Sequence, residues 1–395
     1  MSLVMISDIH LGRYKYGNLN PQTGLDLRTE DILSNVREAI KYAHDIGAKY
    51  LTILGDQYHL KRPVEIFREA LAQVLREALE QGLEVFVILG NHDQGRTAAH
   101  DLVELHELSH LVPLFHVIDT PETFERGEYF FAFLPHVNQI KLNISNIEFF
   151  QYQLDKIKEL SKAAQKSKAK YKIFFGHFGT DKSVAGKGFD IGSTGKSTRV
   201  IPLSIFDKTI WTRVYLGDIH KPQELNDFCR HVGSIAKVDF GEESEKKGLY
   251  HFENGNDKFI ELHDREFKTL SVDLTNDART SMEKFCDIVQ DLNLSKAIVR
   301  LDIKIRQKDD GLINFKGIEE YLKGASWKYI GKGITQISDE SEEVIIDEYK
   351  NLDYAKIFKD YVQKAKDQID EDIFEDVLIE GEIILSEILN QGKKS

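Results

Sequence analysis

Five short polar motifs, each at the end of a run of apolar residues, constrain this chain more than any other feature. They are Asp8-Ile9-His10, Gly55-Asp56, Gly90-Asn91-His92-Asp93, Gly176-His177 and Gly217-Asp218-Ile219-His220. The runs before them, Leu3–Ile6, Tyr50–Leu54, Val85–Leu89, Lys172–Phe175 and Arg213–Leu216, read as buried strands. In an open α/β sheet, ligands gather at the carboxyl ends of strands, so these side chains are expected at one edge. They offer oxygen and imidazole ligands for two metal ions, with one histidine to spare. That is the equipment two-metal hydrolysis of a phosphate ester requires.

Continuous rather than alternating apolar strands imply a sheet covered on both faces, hence a layered α/β domain. Helical patterns at Thr29–Asp45 and Val64–Gln81 separate the first three strands, and Tyr129–Leu134 adds another. Near Gly248 the pattern changes to a hairpin, Leu249–Glu253 and Lys258–Leu262, around a turn at Asn254-Gly255-Asn256-Asp257. Residues 265–337 read strand (Thr269–Leu274), helix (Ala278–Leu292), strand (Ala297–Ile305), helix (Phe315–Leu322), strand (Lys328–Ile334). The expected organisation is a catalytic sheet domain over 1–264, a smaller α+β capping domain over 265–337, and an acidic linker with a helical segment over 338–395. In that last segment Tyr354, Ile357, Phe358, Tyr361 and Val362, then Ile373, Phe374, Val377, Leu378 and Ile384, recur at helical spacing.

The net charge of −13 looks unfavourable for a nucleic-acid partner. Its distribution is not uniform. Asp339–Glu387 carries 17 acidic and 5 basic residues, so the main body is nearly neutral and leaves room for a local basic face. No stretch approaches the roughly 18 apolar residues of a membrane helix, and no membrane partner is expected. The chain opens directly on a strand, without a basic region or cleavage site, so no secretory leader is expected. Cys229 and Cys286 lie far apart, which suits a reducing, cytoplasmic compartment.

Each motif alone is weak. A lone D-x-H is mostly chance, G-N-H-D suits a turn, and His177 could be a core histidine. Their conjunction, in order, at strand ends is what neither chance nor packing produces. Asp8 and His10, two apart, are expected to point to one side of their strand. Asp56 comes alone from its strand and is the natural bridge between two ions.

With these residues the chain resembles the calcineurin-like metallophosphoesterases, which read D-x-H, G-D-x-x-[DH], G-N-H-[DE], G-H and G-H-x-H. More narrowly it resembles the SbcD-type DNA nuclease subunit, the bacterial and viral counterpart of the eukaryotic meiotic-recombination nuclease. Lys221-Pro222-Gln223, Val232-Gly233-Ser234, Asp239-Phe240-Gly241-Glu242, Lys246-Lys247-Gly248, Arg28 and Asp31 carry that narrower likeness. It covers about residues 1–262 well and 263–395 by layout. The resemblance implies one metal on Asp8, His10, Asp56 and His220, and a second on Asp56, Asn91, His177 and Asp218. It implies that His92, held by Asp93, stabilises the transition state or protonates the leaving oxygen. It also implies two Mn²⁺ ions, with Mg²⁺ as the alternative, double-stranded DNA as substrate, and an SbcC-type coiled-coil ATPase that docks on the C-terminal helical segment. A homodimer is left open.

Asp218 departs from the family, which places histidine there. A hard carboxylate is expected to bind still, and to favour Mn²⁺ or Mg²⁺ over softer ions. Beside His177, Lys182, Lys187, Lys196 and Arg199 are candidate phosphate contacts. The seven lysines from Lys156 to Lys172 read more simply as a solvated helix face. Gly192-Ser193-Thr194-Gly195-Lys196-Ser197 imitates a P-loop but has Asp190 where the first glycine belongs, so no ATP site is expected. His59, His100, His106 and His110 read as packing or surface residues, while His136 could line the site. The function expected is that of a Mn²⁺-dependent DNA exo/endonuclease subunit acting in recombination and repair. A phosphatase or cyclic-nucleotide phosphodiesterase on the same fold, and a DNA-tethering subunit with a weakened site, stay open as alternatives.

Overall fold

Twelve strands form two six-stranded sheets that face one another, with helices on their outer sides. The structure, a computed structural model, describes residues 2–12, 16–61, 63–93, 105, 109–137, 139–142, 144–184, 200–276 and 278–337. In chain order its elements begin β1 (Ser2–Ile6), α1 (Leu27–Asp45), β2 (Tyr50–Leu54), α2 (Glu65–Glu80), β3 (Glu84–Ile88), β4 (Phe115–Ile118), β5 (Glu122–Arg126), β6 (Tyr129–Leu134) and α3 (Asn146–Lys166). They continue with β7 (Tyr171–His177), β8 (Gly179–Thr180), β9 (Val200–Ile201), β10 (Arg213–Gly217), β11 (Gln223–Glu224), β12 (Cys229–His231), β13 (Gly248–Glu253) and β14 (Asn256–Glu261). The α+β elements follow as β15 (Glu266–Asp273), α4 (Ala278–Gln290), β16 (Ala297–Arg306), α5 (Phe315–Ala325) and β17 (Lys328–Ile337).

One sheet runs β14-β13-β1-β2-β3-β4 and the other β11-β12-β10-β7-β6-β5. The strands that carry the metal-type motifs are parallel neighbours: β1 with β2, β2 with β3, and β7 with β10. Their carboxyl ends therefore lie at a common edge within each sheet.

The continuous apolar runs have a direct cause. Leu3 and Met5 point between the sheets, where Phe86, Tyr129, Phe131, Phe133, Phe175 and Tyr215 pack. Val4 and Ile6 point the other way, onto α1 and α2. On the second sheet Phe130, Ala132 and Leu134 face α3 and Trp211. Both faces of each central strand are thus buried, and period-two alternation has no polar partner to reveal it.

Helix α1 starts at Asp26, whose carboxylate accepts the N–H groups of Arg28 and Thr29. Helix α3 starts with a capping box between Ser145 and Glu148. Its lysines are partly matched by nearby acids, Lys156 by Glu159 at 2.8 Å and Lys158 by Asp155 at 3.3 Å. The hairpin turn is tighter than the four residues expected, since β14 already begins at Asn256. Asn254 and Gly255, at φ +52° and +89°, make the two-residue turn that suits twisted strands. Strands β4 and β5 have no clear sequence signature: β4 is only four residues long, and β5 has Phe124 as its single apolar residue.

Contacts divide the chain into two units. The first comprises Met1–Val272, Met282–Ile303 and Asn314–Gly333, and holds both six-stranded sheets. The second comprises Asp273–Ser281, Lys304–Ile313 and Ile334–Ser395. Strands β15, β16 and β17 form a three-stranded sheet in that order. The C-terminal helical segment expected from Asp353 lies outside the described residues. Both cysteines are free. Among the described residues no helix is long and apolar enough to cross a membrane.

Phe131 is fully buried between the sheets, with ring centroids 5.2 Å from Tyr50 and 5.7 Å from Phe175. Phe131→Ala is expected to cost about 3–5 kcal/mol in urea unfolding. A loss below about 1 kcal/mol would contradict this packing.

Candidate metal centre

The five motifs meet. Asp8 and His10 follow β1, Asp56 follows β2, and Asn91, His92 and Asp93 follow β3. His177 is the last residue of β7, and Asp218 and His220 follow β10. Asp8, His10, Asp56, Asp93 and His177 are at most 3% exposed, so the floor of the site is shut off from water. Asn91, His92 and His220 are half-buried and form its rim.

Local backbone explains the convergence better than strand alternation does. Asp8, His10, Asp56 and Asp218 have φ of +50°, +48°, +53° and +78°. These are four of the five non-glycine residues with positive φ among those described. Such a backbone costs on the order of 1–3 kcal/mol per residue and persists where the surroundings impose it. The period-two argument for Asp8 and His10 is thereby corrected, since both lie past the end of β1. Their N–H groups bond to the carbonyls of Gly55 (3.1 Å) and Asp56 (2.9 Å), which locks the two turns together. Gly55, at φ +93°, cannot be replaced without strain: a Cβ there would stand 2.1 Å from Nδ1 of His177.

The donor set fits cations. His177 gives its Nδ1–H to the carbonyl of Leu54 at 2.6 Å. Its Nε2 then faces Asn91 Oδ1 at 3.1 Å, Asp56 Oδ1 at 3.4 Å and Asp218 Oδ1 at 3.8 Å. Acceptors converge there, and a proton or a metal ion has to satisfy them. On the other side His10 Nε2 lies 2.9 Å from His220 Nε2 and 3.6 Å from Asp56 Oδ2. His220 uses its Nδ1–H on Glu242 at 2.7 Å, so its Nε2 lone pair also points inward. Asp8, His10 and His220 form one group within ligand reach; Asp8, Asp56 and His177 form another. The two oxygens of Asp56 divide between the two sides, as a bridging role requires. Asp8 is shared as well, beyond the single site the resemblance implies for it.

Titration follows from the same crowding. Burial pushes Asp8 up to about 6, against the pull of the His177 and His220 imidazoles. Burial also opposes the charge on Asp56, but His177, His10 and His92 outweigh it and hold that carboxyl below its ordinary value. Burial and the neighbouring Asp56 push Asp93 up to about 8. Burial and His220 push His10 well down. His177 is raised well above its ordinary value, because Asp56, Asp8 and Asp218 overcome the cost of burial. His220 is raised as Glu242 and Asp8 do the same. Burial works against Glu242 too, yet its bond to His220 and the charge of Lys247 bring it down to about 2.

Two expectations change. Asp93 does not hold the His92 imidazole: its carboxylate accepts the N–H groups of Gln57 (2.9 Å), Tyr58 (3.3 Å) and Gly90 (2.8 Å), which fixes the β2 and β3 turns to each other. The Nδ1–H of His92 goes to the carbonyl of His59 at 2.7 Å, leaving Nε2 as the ring atom that can carry and pass on a proton. His59 itself is no remote packing residue. It stacks on His92 with centroids 5.7 Å apart and forms a third ligand-type group with His10 and His92. Its place in G-D-x-x-[DH] is the sequence signal for that position. Glu242 and Lys247 show in the sequence only as family markers. Lys182 is exposed in the turn after β8, while Lys187, Lys196 and Arg199 lie outside the described residues. His136 follows β6, with its N–H on the carbonyl of Leu89 at 2.8 Å.

A family model described as calcineurin-like phosphoesterase matches residues 1–222. The chain belongs to the calcineurin-like phosphoesterases. Solved structures similar to this phosphoesterase include a dimetal phosphatase from Danio rerio, at 11% identity and TM-score 0.40 over 64% of this chain and 91% of that one. A Thermus thermophilus protein matches at 14% identity and TM-score 0.39, over 66% and 99%. A cold-active protein-tyrosine phosphatase of a psychrophilic Shewanella species matches at 11% identity and TM-score 0.27, over 66% and 80%. As a calcineurin-like phosphoesterase the chain has the layered α/β fold and a candidate dimetal cluster.

Metal uptake must displace protons from His177, His220 and Asp8, because ligands bind deprotonated. Mn²⁺ affinity is therefore expected to fall as pH drops from about 8 to about 6, with proton release visible by calorimetry in buffers of different ionisation enthalpy. Affinity and proton release that do not change with pH would contradict this ligand set.

Proposed function

We propose that this phosphoesterase is an SbcD-type, Mn²⁺-dependent DNA exo/endonuclease subunit that works with an SbcC-type ATPase in recombination and repair. The observation that carries the reading is local. The stretches that set the narrower resemblance apart all pack on the last metal motif or on α1. The ring of Pro222 covers Gly233, where a Cβ would come within 2.5 Å of it. The Ser234 N–H bonds the His220 carbonyl at 3.0 Å, and Glu242 takes the His220 Nδ1–H. Arg28 bonds Asp264 at 3.0 Å and the Lys237 carbonyl at 2.6 Å, and Asp31 bonds Arg265 at 2.6 Å. The start of the α+β segment is thus tied to the helix that follows the first motif.

When bound, two divalent ions supply Lewis-acid charge for the phosphoryl group and acidify water. Asp8, His10, Asp56 and His220 would hold one, and Asp56, Asn91, His177 and Asp218 the other. The chain's own part is to place a phosphodiester against this floor and keep bulk water from the buried carboxylates. His92 Nε2 would hand a proton to the leaving oxygen, with the His59 carbonyl keeping the ring in register. Lys182, Lys187, Lys196 and Arg199 would neutralise DNA phosphates. The α+β segment of 265–337 would cap the site, and 338–395 would dock on the ATPase.

A nuclease assay with Mn²⁺, with and without the ATPase, tests the proposal on duplex DNA, single-stranded DNA, a cyclic nucleotide and a small phosphomonoester. DNA cleavage is expected, and His92→Ala should lower kcat by roughly 10²–10⁴-fold while Mn²⁺ uptake persists. Hydrolysis of the small esters without DNA cleavage would make this a phosphatase or cyclic-nucleotide phosphodiesterase. DNA binding without cleavage by the natural chain, its partner and Mn²⁺ would make it a tether.

A further inference from the structure

Behind His220 lies a buried charge network that belongs to neither ligand set. Lys247 is 1% exposed and Glu242 is 1% exposed. The ammonium of Lys247 donates to Glu242 Oε2 at 2.9 Å, to Glu245 Oε2 at 2.8 Å and to the backbone carbonyl of His220 at 2.8 Å. All three of its N–H bonds are used. Glu242 Oε1 accepts the His220 Nδ1–H at 2.7 Å, and Oε2 also accepts the Val238 N–H at 2.8 Å. Lys247 therefore grips His220 twice, directly at its backbone and through Glu242 at its ring.

Such an arrangement is poor economy for stability alone. Apolar residues of similar volume commonly replace a buried ion pair at no loss, since desolvation offsets most of the attraction. The network does two things an apolar filling could not. It commits the His220 proton to Nδ1, which turns the Nε2 lone pair toward His10 and Asp8. It also sets two carboxylates against one ammonium, so one net negative charge stands behind the ring. A carboxylate in that place makes an imidazole a stronger metal ligand.

We infer that Glu242 and Lys247 are positioning residues for the ion held by Asp8, His10 and His220: Glu242 fixes the ring and its tautomer, and Lys247 fixes Glu242. The inference rests on the two-metal reading of the site. It assigns unequal support to the two ions. His177 leans on a neutral carbonyl, that of Leu54, whereas His220 leans on a charged network, so the two sites should respond separately to changes here.

The test is Mn²⁺ titration calorimetry on the full chain, together with nitrogen NMR of the metal-free His220 ring at a pH where that ring is neutral. Two variants are compared, Glu242→Gln and the double variant Glu242→Gln with Lys247→Met. A carboxamide can accept from or donate to Nδ1, so it no longer dictates the tautomer. The double variant removes the ammonium that would otherwise be stranded, so it carries the test where the single variant fails to fold. The natural chain should bind two Mn²⁺ ions, with His220 wholly Nδ1-protonated. The folded variant should bind one ion normally and the other about 10–100-fold more weakly, with a mixed tautomer. Unchanged affinities for both ions and an unchanged tautomer in the folded double variant would overturn the inference and leave the network a packing device. A natural chain that takes up no Mn²⁺ would overturn the two-metal reading itself, a failure visible before any variant is made.

Discussion

Acceptor atoms that crowd together need a shared proton or cation between them, and here that demand is concentrated at the edge where β1, β2, β3, β7 and β10 end. His177 Nε2 meets three oxygens, from Asn91, Asp56 and Asp218, within 3.8 Å. Such crowding in a buried floor is costly unless a positive charge compensates it. Much of the surrounding structure holds the crowded groups in place. The Asp93 carboxylate ties the β2 and β3 turns together, the Leu54 carbonyl orients His177, and Glu242 with Lys247 orients His220. The left-handed backbone at Asp8, His10, Asp56 and Asp218 is strain stored in the same place.

Much of this was legible in the residues. Continuous apolar runs announced strands buried on both faces, and polar motifs at their ends announced a common edge. What escaped reading did so for physical reasons. Side chains past a strand end follow local φ and ψ, so spacing alone could not tell how Asp8 and His10 turn inward. A buried carboxylate can serve either a ring or a backbone, and in Asp93 the backbone N–H groups of Gln57, Tyr58 and Gly90 won. Lys247 looked like any member of a charged run, since a sequence does not show that a lysine is buried. Four residues of turn separate His59 from the β2 end, and spacing does not show that this turn folds back and stacks it on His92. Strand β4, Phe115–Ile118, is too short for either period to stand out, and β5, Glu122–Arg126, has a single apolar residue, Phe124.

The fold and the chemistry of the site carry different weights. A two-metal phosphoesterase platform serves many substrates, so the platform does not name one. What points beyond it is the set of residues that back the last metal motif and tie α1 to Asp264 and Arg265. Asp218 belongs to both questions. It brings a hard oxygen where its family carries imidazole, and its carboxylate sits 3.8 Å from His177 Nε2, on the side where a second ion would lie. An oxygen-rich second site favours Mn²⁺ or Mg²⁺.

Anomalous diffraction from crystals grown with Mn²⁺ tests the centre most directly. The account requires two peaks about 3.5–4 Å apart, one among Asp8, His10, Asp56 and His220, the other among Asp56, Asn91, His177 and Asp218. One peak alone, or ions bound away from these side chains, would contradict it.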